Sequence, residues 1–144
     1  MFKNNTKILV VDDTLPVLRI IVNMLRSLGF LHVDMAHDGQ EAWQSLNKKR
    51  ECSGAGTGYG LVICDWHMPN LSGIQLLKKV REDQYLKDIS FVMVTVEHNM
   101  LNINSAVMAG VDGYILKPVT EPALRIGLRN AFAKQLLKTK NETE

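Results

Sequence analysis

The feature that most constrains this chain is an alternation. Five short strand-like runs are each followed by a longer stretch with helical spacing. The strand-like runs are Lys7–Val11, Leu31–Ala36, Leu61–Cys64, Phe91–Val94 and Gly113–Leu116. Four are almost continuously apolar, as strands covered on both faces must be; Leu31–Ala36 is mixed and is expected at an edge. Pro16 suits the first turn of a helix, where its missing N–H costs nothing. Leu18, Ile21, Leu25 and Leu28 follow at helical spacing, and Gly29 supplies a stop. A second helix is expected over Gly39–Lys49, with Ala42 and Leu46 inward. Ser72 and Gln75 form a capping-box pattern at the start of a third, with Ile74, Leu77 and Val80 on its inner face. A fourth helix over Asn99–Ala109 ends at Gly110. Thr120 can cap a fifth, which turns Leu124, Leu128 and Ala131 inward. Five βα units in series predict an α/β fold, a doubly wound parallel sheet with right-handed crossovers.

The 144 residues suit one domain spanning 1–144, with a core at about 7–132 and a frayed end at 141–144. Seventeen basic and fifteen acidic residues leave a net charge of +2, which gives no electrostatic case for nucleic acid or an anionic membrane. No apolar run reaches the roughly 20 residues of a membrane span. The polar start leads straight into a strand, so no signal peptide is expected, and a cytoplasmic location with reduced Cys52 and Cys64 follows.

Glu51–Gly60 contains Gly54, Gly56, Gly58 and Gly60. Glycine-rich loops cradle phosphate when they follow a strand and open a helix. This one follows a helix and precedes a strand, at the amino edge of the sheet, so it reads as a flexible, lengthened connection.

The residues with chemistry all follow strands. Asp12 and Asp13 follow the first, Asp65 the third, Thr95 the fourth and Lys117 the fifth. Parallel strands bring these ends to one edge. Three carboxylates there repel one another and call for a counter-ion, and all-oxygen ligands favour Mg²⁺ over Zn²⁺. A cation beside Asp65 would let its carboxylate attack phosphorus, with Lys117 and the Thr95 hydroxyl holding phosphoryl oxygens. Read singly, Asp12 and Asp13 could be a turn, Thr95 a helix cap, Lys117 a surface lysine and Tyr114 a plain aromatic.

The runs Ile8-Leu-Val-Val-Asp-Asp13, Asp65-Trp-His-Met-Pro-Asn-Leu-Ser-Gly73, Val94-Thr-Val-Glu97 and Gly113-Tyr-Ile-Leu-Lys-Pro118 together resemble the receiver domains of two-component response regulators. The likeness is closest to the stand-alone, CheY-like chemotaxis type and covers about Lys7 to Phe132. It implies a flavodoxin-like five-stranded sheet in the order 2-1-3-4-5. It implies Asp65 as phospho-acceptor, and Asp13 and Asp65 as Mg²⁺ ligands with Asp12 acting mainly through water. The backbone carbonyl of His67 is the third protein ligand by that resemblance, Lys117 and Thr95 bind the phosphoryl group, and Tyr114 is an aromatic switch. The Lys117–Pro118 bond is then expected to be cis. The loop before the third strand is longer than usual, His67 stands where Asn or a small residue is more familiar, and Val119 stands where Phe is common.

By this resemblance the chain is a signalling switch rather than an enzyme. A sensor histidine kinase or His-containing phosphotransfer protein donates the phosphoryl group. The surface of helix 4, strand 5 and helix 5 then meets a downstream protein target, and a monomer is expected. A second reading is an aspartyl-phosphate hydrolase of the haloacid-dehalogenase type. That class places its nucleophile after the first strand in an Asp-x-Asp-x-Thr pattern, whereas Asp12-Asp-Thr-Leu stands here and no cap domain is expected to enclose a substrate. A third is an interaction module that no longer accepts phosphate, against which the intact Asp, Thr and Lys set argues.

Overall fold

A computed structural model describes residues 1–53, 58–96 and 99–143. Five strands, β1 (Lys7–Val11), β2 (His32–Ala36), β3 (Tyr59–Asp65), β4 (Ser90–Thr95) and β5 (Gly113–Leu116), form one sheet. They alternate with α1 (Leu15–Ser27), α2 (Gly39–Ser53), α3 (Gly73–Glu82), α4 (Met100–Ala109) and α5 (Glu121–Thr143). The strands are all parallel and run in the order β2-β1-β3-β4-β5. The mixed strand β2 lies at an edge, as its pattern demanded, and three of its five residues are exposed.

The alternating directions of strand side chains divide the core in two. Leu9, Val11, Val62 and Cys64 meet α2, α3 and α4 on one face. Ile8, Val10, Ile63 and Val92 meet α1 and α5 on the other. The expected inward residues Leu18, Ile21, Leu25, Ala42, Leu46, Leu124, Leu128 and Ala131 are all buried. Val119 packs against the α1/α5 side, so the residue that replaces the usual Phe still contributes apolar contact there.

The boundaries differ from the sequence reading in places. On α3, Leu76 joins Leu77 and Val80 in the interior, and Ile74 is only partly buried. The buried stripe on α3 is therefore centred nearer Leu76 than Ile74. α2 continues to Ser53 and β3 starts at Tyr59, which leaves less of the Glu51–Gly60 connection outside regular structure; residues 54–57, with Gly54 and Gly56, lie outside the described residues, as do Glu97, His98 and Glu144. α5 runs to Thr143, into the segment expected to fray, because nothing after Ala131 interrupts it with Gly or Pro. Phe2 was unexpected in the core: it packs edge-on against Phe132, with ring centroids 5.3 Å apart.

Several termini follow the local rules. Pro16 sits in the first turn of α1, and Gly29 just beyond its end has φ 100°. The Ser72–Gln75 capping box is formed in both directions. Gly110 closes α4 in the left-handed conformation that a side chain disfavours, with φ 97°.

Candidate functional site

The carboxyl ends of the parallel strands share one edge, and the connections leave β1 and β3 in opposite directions. A crevice opens at such a switch point. Asp12 and Asp13 follow β1 directly, and Asp65 is the last residue of β3. Asp12 and Asp65 are 1% and 6% exposed, whereas Asp13 is open to solvent. Among the described residues these three form the one acidic, His or Cys cluster with metal-ligand spacing, their ligand atoms all within 4.8 Å of one another.

Lys117 crosses from the end of β5 to neutralise part of this charge. Its Nζ donates to Asp12 Oδ2 at 2.9 Å and lies 3.4 Å from Asp65 Oδ1. The other Asp12 oxygen accepts from the backbone N–H and the hydroxyl of Thr14, each at 2.9 Å. Asp12 is therefore fixed on both sides, and its role in a cation's shell has to be shared with these donors. The Lys117 backbone N–H donates to the Thr95 carbonyl at 2.8 Å, which ties the ends of β4 and β5 together. The Lys117–Pro118 bond is cis. Thr95 is fully buried beside this edge, and Tyr114, paired in register with Met93, is partly buried. Trp66 is buried directly after Asp65, while His67 is exposed at the rim.

The electrostatics express the crowding. Burial raises the Asp65 pKa, repulsion from Asp12 raises it further, and Lys117 offsets only part of that. For Lys117, burial opposes the charged form, but Asp12 and Asp65 outweigh it and leave its pKa raised. A carboxylate whose folded pKa lies above its unfolded value contributes stability only while protonated. That contribution is complete below the unfolded value and is lost as pH rises through the folded one. At neutral pH, ionised Asp65 thus opposes folding of the metal-free chain. Asp65→Asn is expected to raise the thermal midpoint at pH 7 in a chelator by a few degrees, about 1 kcal/mol corresponding to roughly 2–8 °C in domains near this size. The gap should close when the melts are repeated below the unfolded carboxylate pKa of about 3.9. A lower midpoint for the variant at pH 7 would contradict this electrostatic account.

The strand ends thus bring Asp12, Asp13, Asp65, Thr95 and Lys117 to one edge, with His67 exposed at the rim and Tyr114 further back along β5. The Thr14 bonds to Asp12 were not anticipated, although a Thr two residues after an Asp is a familiar local hydrogen-bonding pattern. Residues 8–129 match the family described as response regulator receiver domain. The chain belongs to that family. Chemotaxis protein CheY-3 of Vibrio cholerae is 39% identical over 134 residues, covering 93% of this chain and 97% of that protein. Chemotaxis protein CheY1 of Helicobacter pylori is 40% identical over 119 residues, covering 83% and 90% respectively. The solved structure of chemotaxis response regulator CheY4 of Vibrio cholerae superposes with a TM-score of 0.76 at 26% identity, over 88% of this chain and 98% of that one. As a receiver domain, the chain is a phosphorylation-dependent signalling switch of the CheY-like type, and the hydrolase reading has no support. Among its described residues no helix is long and apolar enough to cross a membrane.

Proposed function

We propose that Asp65 is the acceptor through which this receiver domain is switched, in a chemotaxis-type pathway. The observation that carries the reading is the Asp12–Asp13–Asp65 cluster bridged by Lys117 at the crevice. An Asp65 oxygen attacks the phosphorus of a phosphohistidine on a sensor kinase or phosphotransfer protein. The P–N bond breaks, the imidazole leaves with its electron pair, and an acyl phosphate forms on Asp65. Lys117 and the Thr95 hydroxyl hold the phosphoryl oxygens by charge and hydrogen bonding. The exposed apolar groove formed by Val17, Ile20 and Val96 with Pro118 and Val119, beside Lys117, offers the donor protein a surface to rest on.

The donor set fits Mg²⁺: it is all oxygen, anionic and partly open to solvent through Asp13. Asp13, Asp65 and the His67 backbone carbonyl would hold the ion, with Asp12 acting mainly through water. When bound, Mg²⁺ supplies charge neutralisation for the carboxylates and the phosphoryl oxygens. Trp66 adjoins Asp65, so in a Trp43→Phe background its fluorescence is expected to change on Mg²⁺ titration. Asp13→Ala should weaken that titration by on the order of tenfold or more, because the site loses a charged oxygen ligand. Parent-like behaviour of Asp13→Ala would remove it from the ligand set.

The output face is α4, β5 and α5. Val107 of α4, which shares a surface hollow with Leu137 of α5, and Leu116 of β5 are exposed apolar residues. α4 carries no charged residue, as suits a surface that meets an apolar partner. Thr95 and Tyr114 couple this face to the site. Thr95 is drawn to the phosphoryl oxygens, and the Tyr114 ring follows into the space released. A ligand shifts an equilibrium only by its differential affinity for the two states, and a hydrogen bond to a charged group supplies about 1.5–3 kcal/mol of that difference. The test compares target-protein affinity with and without a beryllofluoride phosphoryl mimic. The parent should gain affinity; Thr95→Ala and Tyr114→Ala should lose most of the gain, roughly tenfold for each 1.4 kcal/mol. Full gain in both variants would mean that the signal leaves the site by another route. We further propose that the chain acts in the cytoplasm as a monomer, catalysing no turnover beyond accepting and losing its own phosphoryl group.

A further inference from the structure

The loop between β3 and α3, residues 66–72, carries the His67 carbonyl, and its shape is set from outside the acidic cluster. At its far end, the Gly73 N–H donates to the Trp66 carbonyl at 2.8 Å, closing the loop on itself. In its middle, the Leu71 N–H donates to the Pro69 carbonyl at 2.8 Å, around Asn70 with φ 69°. A three-residue turn of positive φ is rare and strained. Asn70 is the only non-glycine residue at positive φ among those described.

A second element braces this turn. Asp38 precedes α2, and its Oδ1 accepts from the Glu41 N–H at 2.7 Å, which holds the start of that helix. Its Oδ2 accepts from Asn70 Nδ2 at 3.2 Å. The next residue, Gly39, presses its Cα against the loop. A Cβ there would lie 2.3 Å from the Leu71 carbonyl oxygen and 2.8 Å from Leu71 Cβ. Both obstacles belong to Leu71, one of them its backbone, so a side chain at 39 must displace the loop or the start of α2. Position 39 is buried and accepts no detour through solvent.

We infer that Gly39 and Asn70 are positioning residues for the metal site, holding the 66–72 loop in the shape that presents the His67 carbonyl. Neither touches the ion. Gly39 admits the loop to the start of α2, and Asn70 supplies the positive-φ turn that Ala resists and Gly adopts without strain. The inference rests on the proposed Mg²⁺ reading of the site, and the experiment separates the two.

Mg²⁺ affinity is measured by isothermal calorimetry with the ion alone, and the thermal midpoint of each variant is measured in a chelator. Indirect support of a metal ligand is commonly worth on the order of tenfold or more in affinity. Gly39→Ala and Asn70→Ala are each expected to weaken Mg²⁺ binding by about that factor, while Asn70→Gly restores affinity to about twofold of the parent because its backbone tolerates the turn. A role in stability alone would lower the chelator midpoint without moving the affinity. Parent-like affinity in folded Gly39→Ala and Asn70→Ala overturns the inference, and Asn70→Gly binding as weakly as Asn70→Ala overturns the part assigned to the turn. If Gly39→Ala fails to fold, the Asn70 pair alone decides. Asp13→Ala is the control for the metal reading. If it binds like the parent, the Mg²⁺ assignment itself has failed; if it loses binding while Gly39→Ala and Asn70→Ala keep theirs, only the positioning claim has.

Discussion

Incubated with a small acyl-phosphate donor and Mg²⁺, the chain is expected to gain one phosphoryl group, and the Asp65→Asn variant none. The reasoning is chemical before it is geometric. The donor's phosphorus needs an anionic oxygen in the crevice, and an amide supplies none at comparable nucleophilicity. The two other carboxylates are poor substitutes for different reasons. Asp12 is buried, with its oxygens engaged by Thr14 and Lys117. Asp13 is exposed, and Lys117 Nζ forms ion pairs with Asp12 and Asp65 but not with it. Intact-mass measurement reads the adduct, peptide mapping places it, and chelation of the metal should suppress it in the parent. An adduct of parent intensity in Asp65→Asn would move the acceptor to another residue and sink the assignment.

The convergence behind that prediction was legible because it depends on topology rather than on fine packing. Each of the five residues stands at or just beyond the carboxyl end of a strand, and parallel strands bring such ends together whatever the helices do in detail. The capping box at Ser72 and the stop at Gly110 were readable for a similar reason: both are local, and their partners lie within four residues. Contacts between distant segments were not readable. Nothing local marks Phe2 as a partner of Phe132. The Pro69–Leu71 turn could be suspected from its Pro-Asn pair, but the approach of Gly39 to Leu71 spans two loops. The end of α2 was placed early because the polar stretch after Leu46 carries no apolar periodicity to extend it.

The least legible feature is also the one whose loss should cost most. Arg81 sits in the last turn of α3 and reads in sequence as an ordinary surface cation. In the structure its guanidinium is largely enclosed. It donates to the Gly110 carbonyl through Nε at 3.0 Å and Nη2 at 2.8 Å, and through Nη1 to the Lys87 and Ile89 carbonyls at 2.9 and 2.6 Å. Nη2 also pairs with Asp112 Oδ2 at 2.7 Å. Asp112 is 3% exposed and accepts in addition from the Phe91 N–H at 2.9 Å and from Lys138 Nζ at 3.0 Å. One planar fork thus joins α3, the turn into β4 and the turn into β5. Arg81→Ala strands three carbonyls and removes a partner from a buried carboxylate, a change that costs about 3–5 kcal/mol when a buried pair is broken. Urea denaturation should show that loss as a lower midpoint at unchanged slope. Arg81→Lys should recover only part of it, since a single ammonium cannot reproduce five donors in a plane. A loss under about 1 kcal/mol for Arg81→Ala would place this network among surface ion pairs of little consequence. The network stands at the amino edge of the sheet and Asp65 at the carboxyl edge. Arg81→Ala, studied cold enough to stay folded, should therefore still accept a phosphoryl group on Asp65. Loss of that adduct in a variant that still unfolds cooperatively would mean that α3 transmits the state of its last turn to the acceptor near its first.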